Sequence, residues 1–209
     1  IPTTAYSAVE KQRVSWWSPS LLEALTARYV IAVEGIADRI IVEGAARAKG
    51  VDLDRIGAVV LELGGAGNFP HVYKLLGHLG FGVTLFGLVD HAEKDPWIGA
   101  IPGKLAAKVD QVIFVSDKDL EDEYCRGLTG PGAARALIAG RACREEAILS
   151  STGAQSLDAV DPGLLAEYCR GFKPAAAVAI ACALTAETAR SISSISKLLD
   201  RLVATDLIG

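Results

Sequence analysis

Apolar residues form two kinds of pattern along the chain, and together they predict strands that alternate with helices. Short unbroken apolar runs are typical of strands buried on both faces of a parallel sheet. Such runs occupy residues 29–33, 58–61, 83–89 and 112–115. Apolar positions with helical spacing precede or separate them at residues 21–28, 36–49 and 69–79. This alternation predicts an α/β fold with a mostly parallel four-stranded sheet.

The strand pattern ends near residue 120, and the rest of the chain is predicted to be helical. Helices are predicted at residues 120–128, 131–148, 162–169, 174–184 and 189–202. We therefore predict three parts: a linker or the end of a preceding domain at 1–18, an α/β domain at 19–125, and an appended C-terminal helical region at 126–209. The chain begins with Ile1 and contains no methionine, so we expect it to be processed or cut from a longer protein.

Composition narrows the class of protein. Half of the 209 residues are hydrophobic and 22% are charged, which excludes a disordered chain. The longest uncharged apolar run, residues 174–186, is shorter than the roughly 20 residues of a membrane helix, so a soluble, cytoplasmic protein without a membrane partner is expected. The net charge is −4, and the acidic excess lies within residues 1–125. This argues against a simple polyanion-binding surface unless the carboxylates hold cations.

Carboxylates follow three of the four predicted strands. The acids at or near strand ends are Glu34, Asp38, Asp90, Glu93, Asp119 and Glu121. Because the carboxyl ends of parallel strands meet at one edge of a sheet, these groups are expected to converge there. Many hard oxygen ligands suit Mg²⁺ or Mn²⁺. Asp38 and Asp119 also fit an ordinary helix cap, and Asp122 and Glu123 are assigned to a solvated face.

Two further features are compatible with phosphate chemistry. The turn Gly64–Gly67 follows the second strand, but Pro70 stands where a dinucleotide-binding fingerprint has its third glycine. The turn is therefore either a tight connection or a place where a phosphate approaches the backbone. Lys173 precedes Pro174 at the start of an apolar helix, where a lysine is either solvated or stabilises charge on a phosphate.

Taken together, these residues resemble a known family. The string Val30–Asp38, then Glu62–Gly65 and Leu88–Asp90, resembles the Toprim fold of topoisomerases, bacterial primases, recombination proteins and small nucleases. Within that group the chain is most similar to the overcoming-lysogenization-defect (OLD) nucleases. The similarity rests on Asp38 four residues after Glu34, on Asp119-Leu120-Glu121, and on Lys173-Pro174, and it spans about residues 20–200.

The resemblance implies a Rossmann-like Toprim sheet and a metal-dependent DNA endonuclease that hydrolyses phosphodiesters with two Mg²⁺ or Mn²⁺ ions. It implies Glu34, Asp90 and Lys173 as catalytic residues. The metal ligands that it implies are Glu34, Asp38, Asp90, Glu93, Asp119 and Glu121. The implied partners are DNA and an ATPase domain in the same or another chain, with a homodimer left open, and the C-terminal helical region would complete the nuclease site.

The chain departs from the family pattern after the third strand. The usual motif there is Asp-x-Asp, whereas this sequence has Ala92 at the second acidic position and Glu93 one residue later. A catalytically weakened Toprim module that binds DNA or regulates is therefore one alternative function. Another is an unrelated phosphate-handling α/β enzyme that uses the Gly64–Gly67 turn.

Overall fold

The computed structural model describes residue 7 and residues 18–78, 80–103 and 108–207. The predicted linker at 1–18 therefore lies almost entirely outside the described residues. Four strands form one sheet: β1 (Tyr29–Val33), β2 (Ala58–Glu62), β3 (Thr84–Val89) and β4 (Ile113–Val115). Every neighbouring pair is parallel, in the order β2-β1-β3-β4. The predicted fold class, a four-stranded parallel sheet flanked by helices, is confirmed.

The strand order determines where a ligand would bind. From β1 the chain goes to β2 on one side of the sheet and then crosses to β3 on the other side. Ligands of open α/β sheets bind at such a reversal, in the crevice outside the carboxyl ends of the two strands. Glu34 directly follows β1 and Asp90 directly follows β3, so both lie at this point.

Three of the five helices described in the first half were predicted from the hydrophobic pattern, and the short helices at 53–56 and 94–99 were not. The five are α1 (Ser18–Thr26), α2 (Ile36–Lys49), α3 (Leu53–Ile56), α4 (Phe69–Leu76) and α5 (Lys94–Gly99). The predicted bounds of β1 and α2 are confirmed, and α2 ends at Gly50 with a left-handed φ of 74°. Helix α4 is shorter than predicted, because the backbone turns extended at Gly77; Leu79, the predicted end, lies outside the described residues.

The second half is helical, with two corrections. The helices are α6 (Leu120–Gly127), α7 (Gly130–Ala139), α8 (Glu145–Thr152), α9 (Pro162–Cys169), α10 (Lys173–Ala183), α11 (Ala186–Ser191) and α12 (Ser193–Asp206). The single helix predicted at 131–148 is wrong: Arg141 has φ of 57°, and Gly140 lies so close to Ala179 that an added Cβ would be 2.4 Å from the alanine Cβ. The single helix predicted at 189–202 is also wrong, because Ile192 is extended.

Two apolar cores lie on opposite faces of the sheet. Ile31 and Val33 of β1 pack into a core with α2 and the C-terminal helices, whereas Val30 and Ala32 face α1, α4 and α5. Helices α2 and α10 approach closely, since a Cβ on Gly44 would lie 2.6 Å from the Cβ of Ala181. At the other end of α10, Lys173 contacts Glu121 in the first turn of α6, which places the start of α10 near the carboxyl edge of the sheet. The division into domains at residue 125, a position within α6, stays a prediction.

No helix in the described part of the chain is long and apolar enough to cross a membrane.

Candidate functional site

Glu34 and Asp90 are joined across the ends of β1 and β3. The Glu34 Oε1 accepts a hydrogen bond from the backbone N–H of Asp90, with an N–O distance of 3.4 Å. The turn after β2 also contacts the end of β1, because the N–H of Gly65 donates a hydrogen bond to the carbonyl oxygen of Glu34 at 3.0 Å. Gly64 and Gly65 have φ values of 67° and 129°, which favour glycine, so the turn makes a tight connection here.

Asp38 both caps a helix and faces the acidic edge. Its Oδ2 accepts a hydrogen bond from the backbone N–H of Gly35 at 3.0 Å, which caps the start of α2. Together with Glu34 and Asp90 it lines a small crevice whose wall also includes Ser116 and Leu120. Asp38 is therefore a helix cap, as one of the two interpretations of the sequence expected. The cap also holds its carboxylate beside the strand ends.

Glu121 and Lys173 complete the cluster from the helical region. The Glu121 side chain is only 3% exposed and lies in the first turn of α6. Its Oε2 accepts a hydrogen bond from the Nζ of Lys173 at 3.0 Å. Lys173 is the first residue of α10, so this ion pair connects two elements that lie far apart in the sequence. We refer to Glu34, Asp38, Asp90, Glu121 and Lys173 as the acidic cluster.

Burial and mutual repulsion perturb the carboxylates of the cluster. Burial, with the charges of Glu34 and Asp38, raises the pKa of Asp90 to about 7. Burial, with the charges of Glu121 and Glu34, raises the pKa of Asp38 to about 6, although the hydrogen bond from Gly35 opposes it. Burial also raises the pKa of Glu34, against the hydrogen bond from Asp90.

Lys173 is the positive charge that faces these groups. Burial alone would lower its pKa, but the hydrogen bond to Glu121 and the charges of Asp90 and Asp38 outweigh burial and raise the pKa. The ammonium group therefore stays charged at neutral pH. One lysine faces four carboxyl groups, and a divalent cation would relieve the remaining repulsion.

The other two predicted ligands, Asp119 and Glu93, lie outside the acidic cluster. Asp119 uses both of its carboxylate oxygens: Oδ1 accepts from the N–H of Asp122 at 2.8 Å, and Oδ2 accepts from the Nε of Arg170 at 2.7 Å. Burial acts to raise the pKa of Asp119, but Arg170 outweighs it, so the pKa is lowered. Glu93 is exposed in a 3₁₀ turn, and its charge helps to raise the pKa of Glu34.

The carboxylate oxygens of the acidic cluster are ligands that a hard divalent cation prefers. Even so, they are not arranged as a complete coordination shell. Among the described residues, no three acidic, histidine or cysteine side chains are arranged to hold an ion as they stand. The Asp90 carboxylate, however, accepts no hydrogen bond from the described part of the chain, and its pKa is raised by burial and by the charges of Glu34 and Asp38, a repulsion that a cation would remove. Oxygen ligands of this kind suit Mg²⁺ or Mn²⁺, provided that the side chains adjust around the ion.

Several polar residues near the site are not those that the sequence indicated. Asp122 and Glu123 are buried, so their assignment to a solvated face is wrong. The Glu123 Oε2 accepts hydrogen bonds from the N–H and Oγ of Ser194 at 3.0 and 2.6 Å, which ties α6 to the start of α12. Arg170 was also missed. The partners of Glu123 and Arg170 lie 71 and 51 positions away, so no local pattern identifies these contacts.

Comparison with known proteins agrees with this geometry. A family profile described as "Overcoming lysogenization defect protein-like, TOPRIM domain" matches residues 25–91. No curated protein matches the chain significantly. The solved C-terminal region of the Burkholderia pseudomallei OLD protein superposes with a TM-score of 0.66 at 22% identity, covering 86% of this chain and 98% of that one.

A second solved relative is the C-terminal region of the Xanthomonas campestris pv. campestris OLD protein. It superposes with a TM-score of 0.66 at 24% identity and covers 89% of this chain and 97% of that one. The chain thus has the fold of the C-terminal regions of OLD proteins. Within it, residues 25–91 match the OLD-like Toprim family profile, and the acidic strand ends lie at the edge of this sheet. Toprim domains of this family are generally associated with nucleases and with divalent metals.

Proposed function

We propose that the chain is a Mg²⁺- or Mn²⁺-dependent DNA endonuclease that hydrolyses phosphodiester bonds at the acidic cluster. The observation that carries the proposal is the convergence of Glu34, Asp38, Asp90 and Glu121 on one lysine at the switch point of the sheet. Burial and the charges of neighbouring carboxylates raise the pKa values of Glu34, Asp38 and Asp90, so this cluster is a poor choice for stability alone. It is a suitable choice for binding cations.

The proposed roles follow from position and charge. Glu34, Asp38, Asp90 and Glu121 would hold the cations, with Glu93 at the exposed margin. Bound divalent cations would supply neutralisation of phosphate charge and a water of lowered pKa. Lys173 would contribute a fixed positive charge beside the scissile phosphate, because its raised pKa keeps it protonated throughout the neutral range.

The test is nicking of supercoiled plasmid DNA by the purified chain. We expect nicking with Mg²⁺ or Mn²⁺, none with EDTA, and none from Glu34→Gln or Asp90→Asn. Asp54→Asn is the matched control, because Asp54 is an exposed carboxylate at the start of α3, away from the strand ends that carry the cluster. Nicking that needs no metal, or that both cluster variants retain, would contradict the proposal.

A second candidate is a Toprim module that binds DNA without cleaving it. The observation that favours it is Ala92, which lies exposed in the turn after β3 where the family has a second acid. Such a module would shift DNA in a gel without nicking it, and Ala92→Asp would restore cleavage. Wild-type nicking that is unchanged by Ala92→Asp would exclude this candidate. Association with an ATPase domain, homodimer formation and a cytoplasmic location stay predictions from the resemblance and the composition.

A further inference from the structure

Two ion pairs run side by side between the start of α6 and the segment that enters α10. Asp119 Oδ2 lies 2.7 Å from Arg170 Nε, and Glu121 Oε2 lies 3.0 Å from Lys173 Nζ. Asp119 caps the start of α6 and Glu121 lies in its first turn, whereas Arg170 begins the 3₁₀ turn Arg170–Phe172 and Lys173 directly follows that turn. The pairs join segments 51 and 52 residues apart in sequence, so their alignment depends on tertiary contacts.

In the pair formed by Asp119 and Arg170, the carboxylate is already occupied by hydrogen bonds. Both oxygens of Asp119 are engaged, one by the backbone of α6 and one by Arg170. The Asp119 side chain is 13% exposed and that of Arg170 is 26% exposed. The Nη2 of Arg170 is buried with no hydrogen-bond partner in the described part of the chain. A partly buried ion pair with an unsatisfied donor is a weak source of stability, so we look for its contribution in the geometry that it imposes.

We propose that Asp119 and Arg170 are a positioning pair: they align α6 with the turn before α10 and so hold Glu121 against Lys173. In this role Asp119 is not a metal ligand. Groups that orient the residues around a metal typically change affinity or rate by about 10- to 100-fold when they are removed. The expected effect on cleavage rests on the proposed function. The expected effect on the contact between Glu121 and Lys173 can be measured without it.

The structural arm is a crystal structure of the Arg170→Gln variant, determined without metal. We expect the distance from Lys173 Nζ to Glu121 Oε2 to open beyond about 4 Å, the limit of an ion pair. Arg170→Lys is the conservative control and should keep the contact. If Arg170→Gln does not crystallise, the same contact is followed by NMR of the Lys173 ammonium group. A distance or signal unchanged in Arg170→Gln would overturn the positioning role, whatever the activity of the chain.

The metal arm separates positioning from ligation. Binding of Mn²⁺ is measured by the electron paramagnetic resonance of the free ion, in the absence of DNA. We expect Asp119→Asn to lose clearly less affinity than Glu121→Gln, which should lose about tenfold or more. Equal losses in the two variants would show that Asp119 is a ligand and would overturn the proposal. Absence of Mn²⁺ binding in the wild type would instead count against the proposed function, and the structural arm would then decide.

The kinetic arm tests whether the pair acts as a unit. Single-turnover cleavage at saturating DNA should slow about 10- to 100-fold in Asp119→Asn and in Arg170→Gln. The double variant should be no slower than the slower single variant, because either change removes the same contact. Arg170→Lys should recover most of the rate. Effects that multiply in the double variant, or a rate that Arg170→Lys does not recover, would overturn the proposal.

Discussion

Replacing Asp90 with asparagine should make the metal-free protein more stable while it abolishes cleavage. The Asp90 carboxyl group has a pKa of about 7 in the folded chain, against an ordinary value of 3.8. At about 1.4 kcal/mol for each pKa unit, this difference sets a ceiling of about 4 kcal/mol on the destabilisation by the ionised group. The group is partly exposed, so solvent reduces the measurable effect to about 1–2 kcal/mol.

The pH dependence identifies the cause. The folded state binds the Asp90 proton more tightly than the unfolded state, so the contribution of this group to stability is full below about pH 4 and is lost as the pH rises towards 7. Asparagine does not ionise. The gain in Asp90→Asn should therefore be near zero at pH 4, grow as the pH approaches 7, and stay constant above pH 7.

The assay is chemical denaturation in EDTA at pH 4.5, 6 and 8, monitored by circular dichroism. At pH 8 a gain of 1–2 kcal/mol corresponds to a rise in melting temperature of about 3–6 °C for a chain of this size. Asp54→Asn, the exposed control, should change the free energy of unfolding by less than about 0.5 kcal/mol at every pH. An Asp90→Asn variant that is less stable than the wild type at pH 8, or that gains as much at pH 4.5 as at pH 8, would contradict this prediction.

Three further predictions concern cations, Lys173 and helix contact. Millimolar Mg²⁺ should raise the melting temperature more at pH 8 than at pH 6, because protons compete for the carboxylates; a shift that Glu34→Gln retains would contradict this. Lys173→Gln should slow cleavage by about 10²- to 10³-fold without weakening Mn²⁺ binding, since it removes a positive neighbour of Glu121; weaker Mn²⁺ binding in titrations would contradict it. Gly44→Ala should cost about 1–3 kcal/mol in urea denaturation and reduce nicking, because its Cβ would meet Ala181; wild-type stability would refute this packing argument.

The sheet and its acidic edge were predictable because their signals are local. Five apolar residues followed by Glu34, and the helical spacing that ends at Gly50, determine β1 and α2 within the sequence itself. Parallel pairing then brings Glu34 and Asp90 to one edge, as expected. Glu121 and Lys173 were also identified from their places near a strand end and a helix start, but their contact depends on how α6 and α10 pack.

The elements that the sequence did not predict depend on distant partners. Nothing near Glu123 indicates that Ser194 will bury it, and nothing near Asp119 indicates that Arg170 will occupy one of its oxygens. The break at Gly140 arises because Ala179 leaves no room for a side chain there. In each case the cause is a tertiary contact, which hydrophobic periodicity does not encode.

A crystal soaked in Mn²⁺ shows whether the acidic cluster binds divalent cations, as the proposed cleavage of DNA requires. Anomalous scattering locates manganese independently of any assumption about ligands. We predict two Mn²⁺ ions, each held by oxygens from among Glu34, Asp38, Asp90 and Glu121, with Asp119 still bound to Arg170. A fully soaked crystal with no manganese at the ends of β1 and β3, or with manganese only elsewhere, would contradict the account.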